Sequence, residues 1–204
     1  MRKNTFVFVC LCFALLFGTA TASATISLPT AQESLTVYIP PPQTNLEPDA
    51  AEIERTPIPA QLNQRMATRS GPSSAYTEEL GTVPKTTEIV VLWQEGNGVS
   101  WVMVEFSRSG KLYRAYTGMK RIDTDSEVPE LAAKGQKAII VPEIRPYYGP
   151  GTQYELVNHT LRGGQIVDIC IQERGYALID YVHPEEATKR ARSWVPVSAL
   201  KGVP

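Results

Sequence analysis

Few side chains in this sequence could support nucleophilic or metal-dependent chemistry. Beyond residue 24 there are one cysteine, Cys170, and two histidines, His159 and His183. A thiol beside an imidazole is the arrangement of a cysteine hydrolase, and imidazoles that converge with carboxylates or thiolates can hold zinc. These three residues are therefore the first candidates for a catalytic or metal-binding role.

The surroundings of these residues favour a structural interpretation. Cys170 lies in the apolar, strand-like run 166–171, where a cysteine is commonly a small buried hydrophobic residue rather than a reactive thiol. His159 and His183 lie beside turn-forming residues, and we expect them to be solvated because a metal site needs several clustered donors. A cysteine–histidine hydrolase would also need an α+β domain of its own, for which no stretch remains.

Other potential sites carry little signal. The carboxylate pairs Glu78-Glu79 and Glu185-Glu186 lie in loop-like segments, which predicts a solvated face. Gly163-Gly164 indicates a turn and lacks the spacing of a phosphate-binding loop. We therefore predict that the protein is not an enzyme and that it has no catalytic residues, no cofactor and no metal ligands.

The N-terminus indicates export. Arg2 and Lys3 precede an apolar run at 6–17, and small residues follow at 22–24, which is the order of a cleaved signal peptide. The run is shorter than the roughly 20 residues of a membrane-spanning helix. We predict a signal peptide at 1–24, cleavage near Ala24-Thr25, and a secreted protein without a transmembrane anchor that could associate with the cell wall. The net charge of −1 and the lack of a basic stripe argue against nucleic-acid binding.

The next segment differs in composition from the rest of the chain. Residues 25–61 contain seven prolines and five acidic residues against one basic residue. Proline fixes φ and removes a hydrogen-bond donor, so this composition predicts an extended, largely disordered spacer. The same segment could alternatively be a ligand for a partner.

From residue 62 the sequence changes to short strand-like runs separated by turn residues. Runs at 88–93, 101–106 and 111–116 are rich in β-branched and aromatic residues, and Ser109-Gly110 fits a hairpin turn between the last two. No window keeps the 3.6-residue period of an amphipathic helix. The pattern predicts an all-β protein built from a small barrel or sandwich.

The strand-like region also contains an internal repeat. Gly71-Pro72 followed by Tyr76 matches Gly149-Pro150 followed by Tyr154. Three further blocks match in the same order, namely 85–90 with 162–167, 101–106 with 176–181, and 114–118 with 192–196. A repeat of this kind indicates a duplicated domain. We predict a first domain at 62–123, an acidic linker at 124–133 and a second domain at 134–204.

The repeated blocks resemble the bacterial SH3-like (SH3b) domain family. The segment 66–76, Met-Ala-Thr-Arg-Ser-Gly-Pro-Ser-Ser-Ala-Tyr, is similar to the opening of that family, and 192–200 is similar to its last strand and closing turn. In the second copy, Pro146-Tyr147-Tyr148 is interpreted as an insertion between Arg145 and Gly149. The resemblance implies two tandem small SH3-like β-barrels, which serve as attachment or interaction modules in exported proteins.

The resemblance also implies a ligand groove between the first long loop and the hairpin loop after the middle strands. The candidate ligand residues are Arg69, Tyr76, Trp93 and Tyr113 in the first copy, and Tyr147, Tyr148, Tyr154 and Trp194 in the second. Trp101, Tyr176 and Trp194 lie in main strands, which favours packing over ligand contact. Tyr147 and Tyr148 are adjacent in a loop, so at least one of them is expected to be exposed.

These features lead to an expected function with one alternative. We expect a secreted, non-catalytic protein whose tandem SH3-like domains recognise peptidoglycan peptides. The alternative is a structural or protein–protein interaction component of the envelope that has no wall ligand. A concave aromatic cleft around Tyr147 and Tyr148 would favour the first, and a filled one would favour the second.

Overall fold

A computed structural model describes residues 56–96, 100–132 and 135–203 of the chain. The predicted signal peptide and the spacer up to residue 55 lie outside the described residues. The regular structure of the described residues is β-strand, apart from two single 3₁₀ turns, so the predicted all-β class is confirmed. None of them belongs to a helix that is long and apolar enough to cross a membrane.

Residues 56–123, the first half, contain a five-stranded antiparallel sheet with strand order β6-β5-β4-β1-β7 and a separate β2–β3 pair. The strands are β1 (Ile58–Leu62), β2 (Met66–Ala67), β3 (Thr82–Val83), β4 (Ile89–Glu95), β5 (Trp101–Arg108), β6 (Lys111–Gly118) and β7 (Ile122–Asp123). A 3₁₀ turn at Met119–Arg121 joins β6 to β7. The predicted hairpin at Ser109-Gly110 connects β5 and β6.

Residues 135–203, the second half, contain a second five-stranded antiparallel sheet with the order β11-β10-β9-β8-β12. Its strands are β8 (Gln136–Ile140), β9 (Ile166–Glu173), β10 (Tyr176–Val182), β11 (Arg190–Pro196) and β12 (Leu200–Gly202), with a 3₁₀ turn at Val197–Ala199. The two sheets have equivalent strand orders, and the 3₁₀ turn precedes the last strand in both. The repeat in the sequence is therefore also a repeat in topology.

Backbone pairing corrects two parts of the predicted alignment. Glu105 pairs with Val90 and its equivalent Asp180 pairs with Asp168, so 85–90 matches 163–168 rather than 162–167. Arg69 pairs with Tyr116 in the first half, and Tyr147 pairs with Trp194 in the second half. Tyr147 therefore occupies the position of Arg69, and Tyr148 occupies that of Ser70. The interpretation of residues 146–148 as an insertion is wrong, because the sequence was aligned on the arginine rather than on the strand partner.

The first strand begins within the predicted spacer. Residues 25–61 were expected to be extended and unpaired, but β1 starts at Ile58 and pairs with β4 and β7. Strand β7 reaches only Gln61 and Leu62, so β1 is unpaired on that side at Pro59. This is the position at which a strand tolerates a residue without an N–H. The two prolines at 57 and 59 concealed the strand in the sequence.

Each sheet contains a β-bulge, which lets one strand place side chains both in the core of its own half and in a second apolar cluster. The register shifts between Val91 and Trp93 in β4, and β9 shifts between Ile169 and Ile171 opposite the Leu178–Ile179 step. The extra residue turns the strand locally, so Val91 packs in the core of its own half while Leu92 and Trp93 pack elsewhere. The consecutive apolar residues that broke the strand alternation are explained by these bulges.

The residues at each bulge join residues of the neighbouring strands in a third apolar cluster, which is shared by the two halves. The first half contributes Leu92, Trp93, Met103 and Tyr116, and the second half contributes Cys170, Ile171, Leu178 and Trp194. We call this contact between the halves the seam. Apolar burial is the main favourable term in folding, so the seam joins the halves into one packed unit.

The predicted linker is anchored rather than free. The Gln94 N–H donates to the Pro129 carbonyl at 2.8 Å, and the Leu131 N–H donates to the Gln94 carbonyl at 2.9 Å. Val128 is 5% exposed and packs in the core of the first half. These bonds place residues 129–131 beside the C-terminal end of β4, past the part that pairs with β1, and they fix the connection that leads into the second half.

Candidate functional site

Most of the predicted ligand residues lie in or beside the seam. Tyr76, Trp93, Tyr148, Tyr154 and Trp194 are at most 8% exposed, and Arg69, Tyr113 and Tyr147 are half-buried. The expectation that Tyr147 or Tyr148 would be exposed is wrong. The two halves pack against each other through these side chains, and the sequence of one half gives no sign of that contact.

The space around Tyr148 is filled. Its ring packs against that of Tyr113 with 5.5 Å between centroids, and its hydroxyl donates to Glu79 at 3.2 Å. The adjoining cavity beside Trp194 measures 10 Å³, which is room for about one water molecule. No aromatic groove is available here to an extended ligand.

Arg192 forms a buried ion cluster that crosses the seam. Its Nε donates to Asp180 Oδ2 and its Nη1 donates to Glu95 Oε2, both at 2.8 Å. The hydroxyl of Tyr76 donates to Asp180, and that of Tyr116 donates to Glu95. Burial raises the pKa of Tyr76 to about 12, so this hydroxyl remains a donor at neutral pH.

Arg114 forms the equivalent cluster on the other side of the seam. Its Nε donates to Glu105 and its Nη1 donates to Glu173, both at 2.8 Å. Tyr154 donates to Glu105 at 2.5 Å. Each arginine therefore binds two carboxylates, one from each half. The carboxylate of its own half also accepts a hydrogen bond from a tyrosine of the other half. This reciprocity relates the halves by an approximate two-fold rotation.

The contacts of the seam explain why both copies have glycine in the Gly-Pro motif. A Cβ on Gly71 would lie 2.2 Å from Cδ1 of Tyr76, and a Cβ on Gly149 would lie 2.1 Å from Cδ1 of Tyr154. Only glycine lets the tyrosine ring lie this close to the backbone. The spacing between glycine and tyrosine, which indicated a family in the sequence, thus positions the hydroxyl that reaches across the seam.

A third polar cluster at the seam contains both histidines. Glu79 Oε2 lies 4.0 Å from His159 Nδ1, and Glu79 Oε1 lies 3.8 Å from His183 Nε2. Thr77 Oγ1 donates to the same carboxylate at 2.7 Å. The prediction that the histidines are solvated is wrong, since each is 6% exposed. Their loops fold against Glu79 of the other half, which local sequence cannot reveal.

The histidine cluster has the residue types of a zinc site but not the hydrogen bonding of one. One donor atom from each of Glu79, His159 and His183 lies within 4.8 Å of the others. His183 Nδ1 accepts from the N–H groups of Glu185 at 3.3 Å and Glu186 at 3.1 Å. A neutral imidazole then carries its proton on Nε2, the nitrogen that faces Glu79, whereas a metal ligand needs that proton on the other nitrogen. The arrangement favours a hydrogen-bonded cluster.

This cluster predicts a pH dependence of stability. Burial lowers the pKa of His159 below its usual 6.5. The charge of Glu79 acts in the opposite direction, and His183 lowers the pKa further. The unfolded chain therefore binds the proton first, so this stabilisation is complete above about pH 6.5 and is lost as the pH falls through the folded pKa. Urea unfolding between pH 7.5 and 5 should show a shallower loss of stability for His159→Gln than for the wild type. Equal slopes for the two proteins would contradict this origin.

Cys170 lies at the bulge of β9 and occupies the position equivalent to Leu92. Its side chain is 5% exposed and packs in the seam, which confirms its interpretation as a small buried residue. Burial raises the pKa of the thiol to about 12. The reactive thiolate is therefore not populated at neutral pH.

An open cleft of 560 Å³ lies in the first half beside Trp101, and we call it the Trp101 cleft. Half-buried Trp101 and Met119 supply its apolar surface, and Lys120 and Arg121 supply positive charge. Arg69 is the predicted ligand residue that lines it, held by Glu78 and by a 2.9 Å bond to the Tyr76 carbonyl. The sequence pointed to Trp101 as a core residue, because a strand position alone does not distinguish a cleft wall from a core.

The second half fills the equivalent position. Tyr147, which stands where Arg69 stands, packs edge-on against Tyr176 with 5.9 Å between ring centroids. Tyr176 begins its strand as Trp101 does, and Val197 begins the 3₁₀ turn as Met119 does. The surface at this position is therefore more closed in the second half than in the first.

Known proteins supply no function for this arrangement. No family model matches the chain, and no curated protein or solved structure is significantly similar to it. Its function must therefore be inferred from the residues of the Trp101 cleft and the seam.

Proposed function

We propose that this chain is an exported, non-catalytic binding protein whose two halves are SH3-like units and which recognises peptidoglycan peptides in the Trp101 cleft. Export is inferred from the signal-like residues 1–24, and the SH3-like assignment is inferred from the motifs at 66–76 and 192–200. The observation that carries the proposal is the open Trp101 cleft.

The chemistry of the cleft suits an extended peptide with free carboxylates. An indole face offers a flat apolar surface, and the thioether of Met119 adapts to irregular side chains. Lys120 and Arg121 can bind carboxylates through charge-assisted hydrogen bonds. Stem peptides of the wall combine an extended backbone, small apolar side chains and carboxylates, so they match both parts of the cleft.

The proposal implies one ligand for each chain rather than two. The Trp101 cleft is open in the first half, while Tyr147 packs on Tyr176 at the equivalent place in the second half. The seam and the bonds of residues 129–131 fix the second half to the first. The second half then serves as support for the binding half.

Retention of the mature protein on purified wall sacculi tests the proposal. Trp101→Ala and Lys120→Glu should each weaken binding by about tenfold or more, as expected for an aromatic anchor and a charge contact. Lys111→Glu is the matched control, because Lys111 is exposed at the opposite end of the β5–β6 hairpin. Wild-type protein that is not retained at low salt, or a Lys120→Glu variant that binds as the wild type does, would contradict the proposal.

A protein partner in the envelope is the second candidate function. The observation that favours it is a set of large aliphatic side chains of the second half that are 40–60% exposed: Val141, Ile166, Val182 and Val203. Crosslinking in cells separates the two candidates. A single crosslinked protein without retention on sacculi would favour this second function.

A further inference from the structure

The exposed aliphatic residues lie on one face of the second sheet. Ile139 is directly opposite both Ile166 and Lys201, and residues two apart along a strand point to the same side. By this alternation the face holds Val141, Ile166, Val182 and Val203, with half-buried Ile139 between them. Three basic residues, Lys137, Arg190 and Lys201, lie on it as well. Asp168 pairs with Lys137 at 2.5 Å and with Arg190 at 3.6 Å. We call this surface the aliphatic face.

The equivalent positions of the first half show whether the fold requires aliphatic residues on this surface. The positions equivalent to Val141, Ile166, Val182 and Val203 are occupied by Asn63, Glu88, Ser107 and Asp125. The positions of Ile139 and Lys201 are occupied by Gln61 and Asp123. The fold therefore accepts polar residues at these positions, and the aliphatic side chains of the second half are not required for its core. Exposed aliphatic residues that the fold does not need are typical of an interaction site.

The equivalent surface of the first half is an open cleft of 1090 Å³, which we call the acidic cleft. Glu88, Asp123 and Asp125 line its exposed rim, with Lys85 among them. Its floor includes the half-buried side chains of Ala60, Val90 and Leu112. The acidic cleft thus combines an apolar floor with a negative rim, while the aliphatic face combines apolar side chains with two lysines and Arg190.

We propose that the aliphatic face of one copy of this chain docks in the acidic cleft of a second copy. Apolar side chains would then cover the floor, and Lys137 and Lys201 would approach the carboxylates of the rim. Charge complementarity favours docking of the aliphatic face in the acidic cleft of a second copy. Docking of two aliphatic faces against each other would instead place like lysines together. The two surfaces differ, so the contact is head-to-tail and repeats from copy to copy until a ring closes.

Sedimentation of the mature protein at increasing concentration tests this assembly. Ile166→Glu, which copies Glu88 of the first half, breaks the aliphatic face. Glu88→Lys combined with Asp123→Lys breaks the acidic cleft. All three positions are exposed, so folding should be retained, and far-ultraviolet circular dichroism checks it. Wild-type protein should form species larger than a dimer, and each variant alone should remain monomeric.

Mixing the two broken variants gives the decisive result. The intact cleft of one can accept the intact face of the other, so an equimolar mixture should form a dimer that cannot grow further. Arg174→Gln is the control for Ile166→Glu, because it also makes the net charge more negative by one and Arg174 is exposed at the opposite end of the β9–β10 hairpin. It should assemble as the wild type does. Monomeric wild-type protein, or a cleft variant that dimerises alone, would overturn the head-to-tail contact.

Discussion

Replacement of Arg192 by alanine is expected to lower the free energy of unfolding by about 3–5 kcal/mol, the range for removing one partner of a buried ion cluster. The side chains of Arg192, Glu95 and Asp180 are at most 9% exposed. Without the guanidinium, Glu95 loses the arginine that pairs with it across the seam, while Asp180 keeps Arg190 at 2.7 Å. Urea unfolding of the mature protein at pH 7.5 measures the loss.

Two companion variants make this prediction specific. Arg162→Ala removes an exposed arginine and should change the free energy of unfolding by no more than about 0.5 kcal/mol. Arg192→Met combined with Glu95→Gln should cost less than Arg192→Ala, because one uncompensated charge is then absent. If Arg192→Ala were as mild as Arg162→Ala, the cluster would not stabilise the seam.

Replacement of Gly149 by alanine is expected to cost about 1–3 kcal/mol, the usual penalty for overpacking. The new Cβ would lie 2.1 Å from Cδ1 of Tyr154, so the buried ring must move, and its hydroxyl would lose Glu105 across the seam. The thermal or urea stability of the mature protein measures the effect.

A matched glycine and a double variant identify the ring as the cause. Gly118 has an extended backbone, and a Cβ there would meet nothing nearer than Lys120 Cγ at 4.0 Å. Gly118→Ala should therefore be neutral or slightly stabilising. In a Tyr154→Leu background, Gly149→Ala should lose most of its cost. Additive effects of the two substitutions would show that the ring is not what excludes the methyl group.

The β-class, the hairpin at Ser109-Gly110 and the repeat could be predicted because each depends on local pattern. Alternation along 101–106 and a turn sequence are properties of neighbouring residues. Strand β1 was missed because its pairing, rather than its composition, makes Pro59 acceptable in a strand. The bulges at Leu92 and Cys170 were missed because they serve a contact between the halves.

The candidate site was predicted less well, for one physical reason. Exposure of a side chain depends on what packs against it, and both histidines and most of the predicted aromatics pack against the other half. A signal for this contact was present in the matched blocks. Arg114 and Arg192, and Glu105 and Asp180, are charged residues at equivalent positions of otherwise apolar strands. Charges repeated within buried strands indicate partners at a buried interface.

The reciprocal arginine clusters have a consequence for how the two halves could diverge. Reciprocal contact is the arrangement of a symmetric homodimer, in which every substitution appears twice and both subunits change together. Within a single chain, each half can be altered separately while the clusters of Arg114 and Arg192 hold the pair together. Position 69 and its equivalent, position 147, show such a difference. Arg69 lies beside an open cleft, whereas Tyr147 packs on Tyr176 at the corresponding place in the second half. In a single chain, the two halves therefore need not carry the same residues outside the two arginine clusters.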